Sequence, residues 1–359
     1  FSGIVLYSLK ITRKQKSTIE KQKLEVDEKN QQLNLQNEEI STQRDEIEAQ
    51  RDLVTHQKEH IEEIHKDVTD SINYAKRIQE AVLPVSDIAR SVLGEHFILF
   101  KPKDIVSGDF YWTTKIVSSQ QLAVNSQQSA INSQQTADCR LLTANLLIVV
   151  VADCTGHGVP GAFMSMLGIS FLTEIVRKQE VIQANQVLNE LRKEIINALQ
   201  QKGETSEQKD GMDISLLVVN VETNECQWAG ANNPLYIIRA KVEDKAKEYR
   251  EAPLTLTSSL IELKGDKMPI AIHPIMSDFT NHEFTLHKGD SVYLFSDGFA
   301  DQFGGTKCRK FLYKKFKEIL LHNSNKTMPE QKEMLETAFE NWRGKGEQID
   351  DITILGIKI

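Results

Sequence analysis

Aspartates recur beside short apolar runs along this chain. Ser107-Gly108-Asp109, Ala152-Asp153-Cys154, Ser296-Asp297-Gly298 and the pair Asp350-Asp351 stand at or close to the runs 98–100, 146–151, 292–295 and 352–355. Apolar runs this short, bounded by glycine and charged residues, read as buried strands. A carboxylate at the end of a buried strand is costly unless something compensates it. Several carboxylates converging from different strands repel one another, and a bound cation is the usual remedy. Oxygen donors without a Cys or His cluster suit Mg²⁺ or Mn²⁺ better than Zn²⁺. The pattern makes the chain a candidate two-metal hydrolase.

The elements that must position these residues divide into two kinds. Residues 10–80 are rich in Glu, Gln, Lys and Asn, whereas 95–359 hold nearly all the aromatic side chains. Ile19, Val26, Leu33, Ile40, Ile47, Val54, Ile61 and Val68 recur at every seventh position, uninterrupted by Pro or Gly. That is a coiled-coil seam, predicted over 10–70. Its companion position is polar (Gln22, Lys29, Gln36, Gln43, Gln50, Gln57), so the coil should be weak for its length. It reads equally as a dimerising spacer or as a helix that transmits a signal. The stripe Val68, Ile72, Ala75, Gln79 and Val82 carries the helix through a regulatory linker at 71–89, with Pro84 ending it. Residues 1–9 are apolar and are followed by Lys10, Arg13, Lys14 and Lys16. This reads as the end of a transmembrane helix with a basic flank, placing the rest on the cytoplasmic face of an inner membrane.

Residues 90–359 are expected to form the catalytic domain, with a low-complexity insertion at 117–143 built on a repeated Asn-Ser-Gln-Gln. Helices are predicted after the glycine loop at 162–178, over 184–202, and at 308–321 and 328–342. Strands are predicted at 109–117, 140–152, 212–221, 225–229, 235–239, 283–286, 291–295 and 352–359, with 241–250 as a hairpin tip. The class is α+β, with sheet packed on sheet and helices outside. The formal net charge of −8 lends no support to a nucleic-acid partner. Cys139, Cys154, Cys226 and Cys308 are widely spaced, which fits a reducing compartment better than a disulfide framework.

SGDFYW (107–112), ADCTGHGVPGAFMS (152–165), DGMDISL (210–216), AGANNPLY (229–236), SDGFADQ (296–302) and DDIT (350–353) occur in that order. In these motifs the chain resembles the metal-dependent protein phosphatases of the PPM (type 2C) family, in their bacterial SpoIIE/RsbU branch. The resemblance implies two packed antiparallel β-sheets flanked by helices and a binuclear Mn²⁺ or Mg²⁺ centre. It implies that Asp153 bridges both ions, that Asp109 and the Cys154 carbonyl bind one, and that Asp297 and Asp350 bind the other. The implied reaction is hydrolysis of phosphoserine or phosphothreonine by a metal-activated water. Alternation along the last strand lets only one of Asp350 and Asp351 face the site, and the family register favours Asp350. Asp213, Asp301 and Asp351 remain candidates for a supporting role or a third metal. His157 is a candidate proton donor or an organiser of its loop. Eukaryotic relatives hold the substrate phosphate with an arginine, and here only Lys101 or Lys103 precedes Asp109 at a suitable place. The implied partners are a phosphorylated protein, of which an anti-anti-sigma protein is typical for the family, and a second copy of the chain. The alternative is a catalytically silent phosphoprotein-binding scaffold, for which loss of metal aspartates would be the sign.

Overall fold

The computed structural model describes residues 2–84, 93–120, 142–203, 210–240 and 259–359. Two compact units divide at Ser71, Phe1–Ser71 and Ile72–Ile359. Helix α1 (Ser2–Val82) supplies the first unit and the opening turns of the second. Its Glu, Gln and Lys content favours helix, and pairs such as Glu25–Lys29 at 2.9 Å add a little. All eight seam residues from Ile19 to Val68 lie exposed. Each forgoes about 1.5–3 kcal/mol that full burial would supply.

In the second unit the last turns of α1 pack through Ile72, Ala75, Gln79 and Leu83, and Val82 is 41% exposed. The expected stripe is therefore corrected at its end. Four residues bring a helix nearer to a whole turn than three, so Leu83 rather than Val82 follows Gln79 on the packed face. Of the 71–89 linker, the part beyond residue 84 lies outside the described residues.

Two five-stranded antiparallel sheets follow. One runs β2 (Phe110–Gln120), β3 (Leu142–Cys154), β4 (Met212–Asn220), β5 (Glu225–Ala231), β8 (His282–Thr285). The other runs β1 (Glu95–Lys101), β12 (Ile352–Lys358), β9 (Ser291–Phe295), β6 (Leu235–Arg239), β7 (Ser259–Leu263). Side-chain alternation makes three apolar layers from them. Leu147, Val149 and Val151 of β3 meet Leu294 of β9 and Leu355 of β12 between the sheets. Ile148 and Val150 face the helices α2 (Gly158–Thr173, prolonged by a π-helical turn Glu174–Lys178) and α3 (Ala184–Ala198). Tyr293 and Phe295 face Phe316 and Phe339 on the far side. Burial on both faces is why these strands read as unbroken apolar runs.

Five details depart from the expected elements. Helix α3 stops at Ala198, short of residue 202, and Gln200 takes a left-handed φ of 51°. The helix expected from 308 starts at Tyr313 (α5, Tyr313–His322), because a two-stranded hairpin pairs Phe303–Gly304 (β10) with Arg309–Lys310 (β11). A short helix α4 (Gly298–Asp301) precedes that hairpin, and α6 (Met328–Arg343) follows α5. Strand β7 was not anticipated. Strands β2 and β3 pair into the proposed insertion, as far as Gln120↔Leu142. Residues 121–141 and the 241–250 tip lie outside the described residues. By length and composition Gly158–Lys178 is apolar enough to cross a membrane, but half of it is buried inside the domain as a core helix.

Candidate metal centre

The two sheets end side by side, and the aspartates sit at those ends. Asp109 immediately precedes β2, and Asp153 is the penultimate residue of β3. Asp153 lies directly opposite Asp213 of β4. Like charges facing each other across a strand pair are destabilising. Asp297 follows β9, and Asp350 lies two residues before β12. Glycines let these ends approach the loop after β3. A Cβ at Gly108 would lie 2.5 Å from the Gly156 carbonyl oxygen, and one at Gly161 would come closer still.

A cavity of about 250 Å³ results, lined by Asp153, Cys154, Thr155, Gly156, His157, Asp213, Asp297 and Asp350. Asp109 is buried outside that lining and accepts a 2.6 Å hydrogen bond from Ser296 Oγ. Burial pushes the Asp109 carboxyl up to about 8, against the pull of that bond and with the Asp351 charge adding. Asp153 is raised well above the carboxylate range by burial, then by the charges of Asp109, Asp297, Asp350 and Asp213. Asp297 is pushed up to about 6 by burial and then by Asp350. Its Oδ1 is buried with no hydrogen-bond partner. Asp350 is raised by burial, eased by the Asp351 N–H and by the positive charge of Lys103.

Among the described residues, no three His, Cys, Asp or Glu groups stand as a ready-made metal cage. The donor chemistry nevertheless fits divalent cations. The wall is carboxylate and carbonyl oxygen, its members raise one another, and the buried Asp297 oxygen is unsatisfied. Cations of the hard, oxygen-seeking kind answer all three conditions.

The other candidates separate by placement. Asp351 is turned from the cavity onto backbone, its two oxygens accepting from the N–H groups of Lys103 and Gly108 at 2.7 Å each. Asp213 lines the cavity and accepts from Asn232 Nδ2 at 2.8 Å. Asp301 pairs with Lys310 at 2.7 Å, outside the lining, yet its charge still acts on Asp297. Lys101 is not brought to the site. Its ammonium pairs with Glu340 and lies over the Phe339 ring, which corrects its assignment to phosphate. Lys103 does approach, with Nζ 3.0 Å from His157 Nε2. The Cys154 thiol is buried and pushed well above its ordinary value, so it is an inert side chain.

Three residues that the motifs do not single out take part around the site. Asp104 meets His157 Nδ1 at 2.6 Å, and nothing in its local sequence separates it from a surface loop carboxylate. Tyr313 feels the charges of Asp297, Asp301, Asp153 and Asp213 beyond its burial. Gln79 is 3% exposed and grips Ser107, accepting from its N–H at 3.1 Å and donating to its carbonyl at 2.6 Å and to Ser165 Oγ at 2.9 Å. A glutamine inside an otherwise apolar stripe was the signal for it.

The family model described as Stage II sporulation protein E (SpoIIE) matches residues 143–359. Among solved structures, the SiaA-PP2C domain of Pseudomonas aeruginosa is 29% identical with a TM-score of 0.62, over 82% of this chain and 98% of that one. The PP2C phosphatase domain of SpoIIE from Bacillus subtilis, with a fragment of its regulatory domain, is 17% identical with a TM-score of 0.49, over 74% of this chain and 61% of that one. The RsbU and RsbW domains of a Mycobacterium tuberculosis protein are 14% identical with a TM-score of 0.49, over 74% of this chain and 60% of that one. None of the curated proteins compared with the chain matches it. Matched by the family model over more than half its length, the chain belongs to the SpoIIE family, in the SpoIIE/RsbU branch of the metal-dependent PPM protein phosphatases.

Proposed function

We propose that this phosphatase removes phosphate from phosphoserine or phosphothreonine of a partner protein at a binuclear Mn²⁺ or Mg²⁺ centre. The observation that carries this reading is the convergence of Asp153, Asp213, Asp297 and Asp350 on one cavity, with Asp109 buried outside its lining and a carboxylate oxygen of Asp297 unsatisfied. Asp153, with Asp297, Asp350, Asp109 and the Cys154 carbonyl, would hold the ions, and Asp213 and Asp301 would support them or hold a third. Bound divalent ions would supply an acidified water and neutralise phosphoryl charge. The chain itself supplies the rest. Ser296 fixes the Asp109 carboxylate, Asn232 fixes Asp213, and Asp351 fixes the loop that carries Lys103. An anti-anti-sigma-like protein is the substrate the resemblance favours.

Regulation through the N-terminal helix is part of the same proposal. Gln79 holds both backbone polar groups of Ser107, two residues before Asp109, and also Ser165 in the helix after the metal loop. A shift of the helix would therefore be felt at both. The chain would act as a homodimer. With Ile19, Val26 and their successors as seam, flanking positions five residues apart pair Glu39 with Arg44 and Glu46 with Arg51 of a second, parallel copy. An antiparallel pairing would set acid against acid and base against base.

The test is hydrolysis of p-nitrophenyl phosphate by the full chain with Mn²⁺, with EDTA, and with Asp297→Asn. Mn²⁺-dependent turnover lost under EDTA and in the variant is the expected result. Folded, Mn²⁺-loaded protein that turns over neither this ester nor a phosphorylated anti-anti-sigma protein would favour the binding scaffold instead.

A further inference from the structure

His157 has a single hydrogen-bonding arrangement that satisfies both of its neighbours. Lys103 Nζ lies 3.0 Å from Nε2, and an ammonium can only donate. Nε2 therefore carries the lone pair. The ring proton then sits on Nδ1, which lies 2.6 Å from Asp104 Oδ2, and a carboxylate can only accept. Both contacts select the same neutral tautomer. A ring in that state has no proton at Nε2 to give to a leaving oxygen. What it does have is a grip on the lysine.

The surroundings keep this chain of contacts in place. Asp351 ties the backbone at Lys103 and at Gly108, so the 103–108 loop is pinned at both ends. Gly158 leaves room for Asp104, since a Cβ there would lie 3.1 Å from Asp104 Oδ2. His157 lines the carboxylate cavity, while Lys103 and Asp104 line a second hollow with Ile105, Val106 and Val159. The Lys103 charge nevertheless reaches Asp350. A lysine stem free to swing would be drawn onto the carboxylates or out to water. A phosphate dianion approaching a carboxylate-lined cavity needs a cation at its rim.

We propose that Asp104 is a positioning residue that orients His157, and that His157 in turn holds Lys103 as the rim contact for the substrate's phosphate group. The proposal rests on the phosphatase reading and deepens it. It moves no proton and breaks no bond. It assigns His157 to substrate placement rather than to acid catalysis.

The experiment uses the full chain with Mn²⁺. Absence of wild-type turnover would count against the phosphatase reading itself. Given turnover, Lys103→Ala, His157→Ala and Asp104→Ala should each raise KM for p-nitrophenyl phosphate about tenfold, the loss of one charge-assisted contact, and change kcat less. The double variant Lys103→Ala/His157→Ala should be no worse than either single. Asp104→Asn, whose amide oxygen still accepts from Nδ1–H, should recover most of the loss. Phenyl phosphate, with its poorer leaving group, should suffer no more than the nitrophenyl ester. Lys103→Met keeps the stem's packing and serves if the alanine variant does not fold. A readout independent of turnover is nitrogen-15 NMR of the His157 ring, which should show the Nδ1–H tautomer in the wild type and lose it in Asp104→Ala. An Nε2–H or doubly protonated ring at neutral pH would overturn the proposal. So would a His157→Ala loss in kcat that is far larger for phenyl phosphate, or additive losses in the double variant.

Discussion

The N-terminal helix and the catalytic domain break the ordinary burial rule in opposite directions. Along α1 a regular row of Ile, Val and Leu lies in water. At the sheet ends the domain does the reverse, burying Asp109 and crowding Asp153, Asp297 and Asp350 around one cavity. Both states are costly for an isolated chain. On the proposed reading, a matching apolar row of a second copy would relieve the first and cations the second. The contrast teaches that an exposed hydrophobe and a buried charge can carry the same message, that the surface in question is half of something.

If that parallel holds, each half can be broken separately. The largest effect is expected in the coil. Ile47→Asn removes about 2 kcal/mol of apolar burial per chain, about 4 kcal/mol per dimer, and so should weaken the dimer about a thousandfold. Sedimentation of wild type and variant across a concentration series measures it, with helix content by circular dichroism as control. Next comes Asp153→Asn. Partners that merely orient metal ligands cost 10–100-fold when lost, so turnover should fall at least about a hundredfold. Manganese should no longer raise the variant's melting temperature, while dimerisation stays intact.

Between the two lies Gln79. Replacing it with Ala leaves the buried Ser107 N–H unpaired and its carbonyl with only the long 3.5 Å contact from Ser165 Oγ, which should cost about 1–3 kcal/mol of domain stability, read by urea unfolding. If α1 regulates through this contact, Gln79→Ala should also make activity insensitive to Ile47→Asn. Charge changes in the coil are expected to matter least. Glu39→Arg should weaken the parallel dimer by no more than about 0.5 kcal/mol per pair, and adding Arg44→Glu should restore it. Restoration is the informative part, because an antiparallel dimer would not be repaired by the swap.

Much of this was legible in the sequence. The heptads of α1, the unbroken strand runs and the aspartates beside them all follow from period and chain ends. Asp350 and Asp351 show where that legibility stops. Alternation says that one of them faces inward, but only the hydrogen bonds of Asp351 to Lys103 and Gly108 show which carboxylate is turned onto backbone. Lys101 and Lys103 look interchangeable in KPKD, and a contact more than two hundred residues away, with Glu340, removes the first. The Cys308 segment has helical composition, yet left-handed φ values of 44° at Cys308 and 75° at Leu312 hold it as a hairpin and turn before α5. Each miss depends on a partner distant in the chain or on a backbone twist that local propensity does not encode.

The most direct test of the central claim is proton release when Mn²⁺ binds to the metal-free chain, followed by calorimetry in buffers of different ionisation enthalpy. Burial raises Asp109 to about 8, so a proton is expected on it at pH 7 when the ions are absent, whereas an unperturbed aspartate would carry none. Filling the centre should expel that proton, so release should be seen at pH 7 and affinity should fall as pH is lowered. Asp109→Asn should release correspondingly less. Tight Mn²⁺ binding with no proton release at pH 7, or release unchanged in Asp109→Asn, would contradict the view that these carboxylates are buried in wait for cations.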